Sequence, residues 1–268
     1  MKRAFIFLGI LFLFSSHELF LKTDSYFLSE GEAVELYLYN GTFDKSENVI
    51  SRDRIENSKV LGPDFEFRPE DTDYFDKDQT TYLKFTSGKT GSYVAGISTL
   101  ARNIELTAAE FKEYLEHEGL DRMVKQRDAN GKSGQDVVEK YSKHVKALLQ
   151  VGSETSGDYN VALGYPIEFI PLHNPYELSV GDNIEFQLIY KGKPLANEVV
   201  HFSSRKDTDD SENRINASIT DEDGKFSFEL NQAGKWYVGT IHMRESEEEA
   251  IDYESNWATL TFEIRNKK

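Results

Sequence analysis

The stretch KWYVGTIHMR, residues 235–244, decides the fold class of this chain. Alternate side chains of a β-strand point to opposite faces, so a period of two divides them into two sets. One set is Trp236, Val238, Thr240 and His242, and the other is Tyr237, Gly239, Ile241 and Met243. The pattern predicts a strand with His242 on the face of Trp236, where its ring is either a half-buried core residue or a ligand.

Six further segments with similar alternation surround this stretch. They are PIEFIPL, NIEFQLIY, NEVVHFSS, NASIT, KFSFEL and ATLTFEI, and turn-forming sequences such as VGDN, DEDGK and QAGK separate them. Short alternating strands at this spacing predict an immunoglobulin-like β-sandwich over residues 165–268. The cysteine pair of antibody domains is missing, since the chain contains no cysteine.

The region before this sandwich, residues 17–160, also has strand patterns. They cover residues 18–29, 32–43, 80–87 and 91–100, and the turn-rich sequence SGKTG joins the last two. In the second of these, Val34, Leu36 and Leu38 alternate with Glu35, Tyr37 and Tyr39. These patterns predict an N-terminal β-sandwich-like part.

A helical insertion interrupts the N-terminal part at about residues 107–150. The sequence TAAE, from Thr107 to Glu110, is a capping box, and Gly119 is placed to end the helix. A second helix is predicted from about Gln135. Its apolar stripe is Val137, Val138, Tyr141, His144, Val145, Leu148 and Leu149. The expected fold class is therefore mainly β, with two sandwich-like parts and a two-helix insertion between them.

Residues 1–16 are predicted to be a secretory signal peptide. Lys2 and Arg3 precede an apolar run, Ala4 to Phe14, that is too short to span a bilayer but has the length of a signal core. Ser15 and Ser16 are small, so cleavage is expected after Ser16. The mature protein would then be periplasmic or secreted and would begin at His17. Without cysteine it has neither a lipid anchor on that residue nor disulfides.

The chain is strongly acidic, with a formal net charge of −16. Removal of Lys2 and Arg3 with the signal peptide changes this to −16 − 2 = −18. Nucleic acids and anionic membrane surfaces are negatively charged, so neither is an expected partner. Cations or basic proteins are compatible with this charge, and the oligomeric state is left open.

A metal site at the mature N-terminus is one hypothesis. If cleavage follows Ser16, His17 offers an α-amine and an imidazole nitrogen that can chelate one divalent ion, and Glu18 could add an oxygen. Such nitrogen ligands suit copper, nickel, cobalt or zinc. No two of the six histidines have metal-ligand spacing within one element, so other ligands must come from distant segments.

Several segments in order resemble one bacterial family. They are HELFLKTDSYFL, ARNIELTAAEFKEYLEHEGLD, EKYSKHVKALLQVG, GYPIEFIPLHNPYELSVGD, TDEDGKFSFELNQAGKWYVGTIHMR and ESNWATLTFE. The chain resembles the exported proteins of domain of unknown function 4198, which are associated with nickel or cobalt uptake. The resemblance implies a β-rich fold with an immunoglobulin-like C-terminal part and a periplasmic metal-binding role. It places the family's candidate metal residues at His17, His144, His242 and Glu254.

Three functions follow from these observations. The first is an exported protein that binds a divalent transition metal (nickel, cobalt or copper) through His17, His242, Glu254, Glu18 and His144 and passes it to a membrane importer. The second is a binding or adhesion module of the cell envelope without metal. No catalytic motif is present, so no enzyme is predicted; a copper monooxygenase using His17 and His242 is the enzymatic alternative.

Overall fold

The computed structural model describes residues 18–205 and 215–266. The predicted signal peptide and His17 lie outside the described residues. Within them, no helix is both long and apolar enough to cross a bilayer.

Strands are the main element. The first ten are β1 (Glu18–Lys22), β2 (Phe27–Leu28), β3 (Ala33–Gly41), β4 (Ser46–Asn48), β5 (Ile55–Gly62), β6 (Phe65–Phe67), β7 (Tyr74–Lys77), β8 (Thr80–Thr86), β9 (Gly91–Thr99) and β10 (Arg102–Leu106). The others are β11 (Val137–Val151), β12 (Ile167–Pro171), β13 (Asn183–Tyr190), β14 (Lys193–Pro194), β15 (Val199–Arg205), β16 (Asn216–Ile219), β17 (Lys225–Glu229), β18 (Gly234–Glu245) and β19 (Tyr253–Ile264). Two α-helices, α1 (Ala108–His117) and α2 (Asp121–Ala129), lie between β10 and β11. Short 3-10 turns occur at Arg52–Arg54, Asp71–Asp73, Gly157–Asn160 and Pro175–Glu177. The mainly β fold class is confirmed.

The N-terminal part is a sandwich with immunoglobulin-like strand order. One sheet has the order β1-β3-β8-β7, and the facing strands have the order β11-β9-β5-β6. Leucines and valines from both layers form its core, for example Leu21, Leu36, Val60 and Leu149. In immunoglobulin notation the two layers are A-B-E-D and G-F-C-C′.

The C-terminal part repeats this arrangement. The layer β12-β13-β17, with β14 beside β13, faces β19-β18-β15-β16. The order corresponds to A-B-E against G-F-C-C′ and confirms the predicted immunoglobulin-like sandwich. Aromatic side chains fill the core, and the buried Trp236 lies 5.5 Å from the ring of Phe228, measured between centroids.

The two sandwiches share one ten-stranded sheet. The last strand of each, β11 and β19, pair in parallel, with register from Glu139↔Tyr253 to Ala147↔Thr261. Successive residues of a strand face opposite sides, and β11 contributes Val145 and Leu149 to the N-terminal core but Leu148 to the C-terminal core. The partner layers of the two sandwiches therefore lie on opposite faces of the shared sheet. The predicted domain division at residues 160–165 stays a prediction.

The second predicted helix is wrong: residues 137–151 form the strand β11. This strand is buried on both faces over most of its length, so its apolar residues do not alternate with polar ones. That run of apolar residues also satisfies helical spacing by coincidence. The second helix of the insertion is instead α2, which precedes the strand.

The first helix is confirmed. The Thr107 hydroxyl accepts a hydrogen bond from the Glu110 N–H, and the Glu110 carboxylate accepts one from the Thr107 N–H. The chain leaves the helix through Gly119 in the left-handed region, with φ +67°. Phe111 and Leu115 pack with Met243 and Trp257, so the insertion covers one face of the C-terminal sandwich's sheet.

Candidate functional site

His242 lies in β18 on the face of Trp236 and Val238, as its position in the alternating stretch predicts. Its Nδ1 lies 2.6 Å from Oε2 of Glu198, a buried carboxylate at the start of β15. Its ring packs against Tyr190 at 4.5 Å between centroids. A carboxylate on Nδ1 orients the ring and leaves Nε2 as the nitrogen that could accept a proton or a metal.

His144 lies on the same face of the shared sheet, in the neighbourhood of Asn256. Nδ1 is 2.8 Å from the Ser98 hydroxyl, and Nε2 is 3.2 Å from Oδ1 of Asn256. Asn256 is also the cross-strand partner of His242. Burial lowers the pKa of His144 to about 4, opposed by the hydrogen bond to Asn256. Both ring nitrogens are therefore engaged, and the ring is neutral at pH 7.

Glu254 is on this face too, but an arginine holds its carboxylate. Oε2 of Glu254 lies 2.5 Å from Nη2 of Arg244, its cross-strand partner, and Oε1 accepts from the Ser246 hydroxyl at 3.3 Å. A metal ion would have to displace the guanidinium, so Glu254 does not fit a ligand role.

Glu18 lies on the opposite face of the sheet. Gly239 belongs to the other set of β18, and a Cβ on it would lie 3.5 Å from Oε1 of Glu18. The missing side chain of Gly239 leaves space for this carboxylate. Burial raises the pKa of Glu18 to about 8, with a further increase from Glu118 and an opposing effect of Lys143.

The structure therefore brings His242 and His144 to one face, with Glu254 beside them, and separates all three from Glu18. His17 lies outside the described residues, so its pairing with His242 stays a prediction. Within residues 18–205 and 215–266, no group of three or more His, Cys, Asp or Glu side chains is close enough to hold a metal ion. A metal site at Glu18 would therefore need a ligand from outside the described residues, and His17 is the one that the sequence predicts.

The surroundings of Glu18 form a set of buried charges that the sequence did not predict. We call it the junction cluster; its members are Glu18, Glu118, Glu139, Lys143 and Arg54. They come from β1, the end of α1, β11 and the turn before β5. Local sequence gives no signal for it, because its five members come from four separate elements.

Burial perturbs the junction cluster in both directions. It raises the pKa of Glu139 to about 7, although hydrogen bonds from Ser255 and Tyr114 oppose the shift. It lowers the pKa of Lys143 to about 8; Arg54 adds to the decrease, while Glu18, Glu139 and Glu118 oppose it. The raised pKa values of Glu18 and Glu139 keep both carboxyl groups partly protonated near pH 7, so a cation that binds here would displace a proton.

One further histidine lies near the cluster. His201 is the cross-strand partner of Gly239, and its Nε2 lies 3.4 Å from the backbone oxygen of Glu118. Nothing in the sequence around His201 indicated this position, because strand pairing alone places it there.

A family model described as "Domain of unknown function (DUF4198)" matches residues 14–244. The chain belongs to the DUF4198 family. The matched range includes His17, Glu18, His144 and His242, whereas Glu254 lies beyond it. The description of DUF4198 assigns no activity, so the metal hypothesis has to be judged on this chain's own residues. No curated protein matches the chain.

Solved structures similar to this DUF4198 protein are β-sandwich proteins. The D0-D1 domain of Intimin is 11% identical, with 91% of this chain and 97% of that chain covered and a TM-score of 0.21. A Marsupial T cell receptor is 6% identical, with 94% and 74% covered and a TM-score of 0.20. The three N-terminal domains of the bacteriophage RB49 Hoc protein are 12% identical, with 91% and 59% covered and a TM-score of 0.18. Because these TM-scores are low, the immunoglobulin-like arrangement is inferred from the strand order of this chain and not from these similarities.

Proposed function

We propose that this protein is exported and binds a divalent transition-metal ion (nickel, cobalt or copper) at its mature N-terminus. The observation that carries the proposal is the position of Glu18. Its Oε1 lies over the bare backbone of Gly239, and the charge of Glu118 contributes to the raised pKa of Glu18. His17 directly precedes it in the chain.

The residue types suit such an ion. After cleavage behind Ser16, His17 supplies an α-amine and an imidazole, and Glu18 supplies an oxygen. Glu118 supplies another through Oε2, since its Oε1 lies 3.0 Å from Nδ1 of His117. A divalent cation would displace the proton that the raised pKa keeps on the Glu18 carboxyl group. His242 is not needed for this site, because it lies on the other face of β18. Transfer of the ion to a membrane importer is part of the proposal.

The test is a calorimetric titration of the mature protein with Ni²⁺, Co²⁺ and Cu²⁺. We expect Cu²⁺ to bind most tightly, since copper exceeds nickel and cobalt with nitrogen and oxygen ligands. A version with one residue added before His17, which removes the free amine at that position, should bind more weakly. Glu118→Gln should also weaken binding, whereas Glu113→Gln, an exposed change on the same helix, is the matched control.

Two results would contradict the proposal. One is binding that neither the added residue nor Glu118→Gln alters. The other is binding that His242→Ala abolishes while Glu118→Gln leaves it intact, because the site would then lie on the opposite face. Mass spectrometry of the exported protein checks the predicted start at His17.

An aromatic row favours the second candidate function, a binding module without metal. On the outer face of the sheet β1-β3-β8-β7, Phe75, Tyr82 and Tyr37 are cross-strand neighbours and all half-buried. Their centroids are 4.7 Å and 5.1 Å apart. Aromatic residues are enriched where proteins bind partners. Capture of an envelope glycan or protein that survives chelators but is lost in Tyr82→Ser would support this function.

A further inference from the structure

The guanidinium of Arg54 is held rigidly but is only partly hydrogen-bonded. Arg54 ends the 3-10 turn Arg52–Arg54, immediately before β5. Its Cζ lies 5.0 Å from the ring centroid of Tyr141, and its Nη1 donates to the Tyr141 hydroxyl at 3.3 Å. Both contacts fix the plane of the guanidinium.

Two nitrogens of Arg54 are buried and unpaired. Among the described residues, Nε and Nη2 of Arg54 have no hydrogen-bond partner. Neighbouring arginines differ: Arg52 pairs with Asp76 at 2.9 Å, and Arg102 pairs with Asp53 at 3.0 Å. Buried polar groups are nearly always satisfied, and a buried N–H donor without an acceptor is destabilising. An unsatisfied buried donor pair therefore indicates a missing acceptor.

The geometry of the unpaired edge fits a carboxylate. Nε and Nη2 form one side of the guanidinium, and their two N–H bonds run nearly parallel. This fork matches the two oxygens of a carboxylate, which accept in bidentate fashion. A second cation is close, since Nζ of Lys143 lies 5.8 Å from the same Tyr141 centroid and 5.2 Å from that of Trp257.

We propose that the Nε–Nη2 edge of Arg54 binds the carboxylate of a small organic acid. A carboxylate brings one negative charge to the Arg54 guanidinium. A phosphate would bring more charge close to Glu18 and Glu139, which already surround Lys143. The charge balance thus favours a carboxylate over a phosphate. The proposed contact uses none of the metal ligands His17, Glu18 and Glu118, although Arg54 belongs to the same junction cluster.

The experiment titrates the mature protein with acetate, malonate, citrate and inorganic phosphate in metal-free buffer. Chelating resin removes the metal, since soluble chelators carry carboxylates themselves. We expect at least one carboxylate to bind and to raise Tm with concentration. Arg54→Lys retains the charge but loses the fork and should weaken binding about tenfold or more, or ~1.4 kcal/mol. Arg54→Met should abolish binding, and Arg52→Lys is the matched control.

Folding of the variants is checked without ligand. Arg54→Met removes two unsatisfied buried N–H donors together with the contact to Tyr141, so its Tm in carboxylate-free buffer should lie close to that of the wild type. The inference is overturned if no carboxylate binds, if Arg54→Met binds as the wild type does, or if phosphate binds more tightly than all three acids. A large fall of Tm in ligand-free Arg54→Met would also overturn it, because Arg54 would then be satisfied within the protein.

Discussion

Two buried lysines of β11, Lys143 and Lys146, occupy opposite faces of the shared sheet and have different surroundings. The Nζ of Lys146 lies 3.2 Å from Oε2 of Glu168 and also donates to the backbone oxygens of Val161 and Phe169. Glu168 in turn accepts from three backbone N–H groups, those of Leu163, Gly164 and Tyr165. Each charge of this pair has its complement, and its donors and acceptors are used.

Lys143 lies among the unequal charges of the junction cluster. Three carboxyl groups and Arg54 affect its pKa, and two of those carboxyl groups have raised pKa values themselves. The donors and acceptors of the pair Lys146–Glu168 are used within the protein, and we call it the closed pair. Two carboxyl groups of the junction cluster instead have pKa values near neutrality, and we propose that this cluster binds a ligand.

The largest expected effect comes from breaking the closed pair. Glu168→Gln removes the counter-charge of Lys146 in a site that is almost completely buried. Loss of one partner of a buried pair costs about 3–5 kcal/mol. Urea unfolding at pH 7 should show this decrease in the free energy of unfolding. A decrease below ~1 kcal/mol would mean that water reaches Lys146.

The matched change on the other face is Lys143→Met. We expect it to change the free energy of unfolding by less than ~1 kcal/mol at pH 7, because it removes a costly buried ammonium and the nearby carboxyl groups can take up protons. In the same urea experiment, Lys146→Met leaves the buried carboxylate of Glu168 without its counter-charge and should lower the free energy of unfolding more than Lys143→Met does. If Lys143→Met and Lys146→Met lower the free energy of unfolding equally, the two buried lysines do not differ in how they contribute to stability.

His144, which lies on the same face of the shared sheet as Lys146, should make the stability of the protein depend on pH. The pKa of His144 is about 4 in the folded protein, against an ordinary histidine pKa of 6.5, so the unfolded chain binds the proton more tightly between these pH values. This contribution is complete above pH 6.5 and is lost as pH falls towards 4, by about 3 kcal/mol. The free energy of unfolding, measured at several pH values between 4 and 6.5, should depend less on pH in His144→Asn than in the wild type. Parallel curves for the two proteins would show that His144 is not buried as a neutral ring.

A smaller effect on stability is expected from a change in α1, the helix that ends beside Glu118 of the junction cluster. Thr107→Ala removes the N-cap of α1 and should cost about 1 kcal/mol. Because α1 packs over Trp257 and ends at Glu118, amide hydrogen exchange should accelerate in α1 while the strands around Lys146 stay protected. Accelerated exchange at Phe169 would show that the two faces unfold together.

Much of the local structure could be predicted from sequence. The alternation in residues 235–244 placed His242 on the face of Trp236, and the capping box placed the start of α1. The N-terminal sandwich and the C-terminal immunoglobulin-like order followed from strand spacing. The strand β11 was predicted as a helix, because a strand buried on both faces has no alternation of apolar and polar residues to distinguish it from a helix. The set of candidate ligands was incomplete for a related reason: Glu118 and His201 approach Glu18 only through packing of α1 and β15.

The sequence by itself determined the β class, the first helix cap and the acidic charge, because periodicity, capping and composition are local properties. Only the tertiary structure decided that β11 and β19 pair in parallel and place a sandwich on each side. Lys143 and Lys146 show the physical reason. Residues three apart lie on one face of a helix but on opposite faces of a strand. The conformation of one segment therefore separates the closed ion pair from the cluster that we propose to bind ligands.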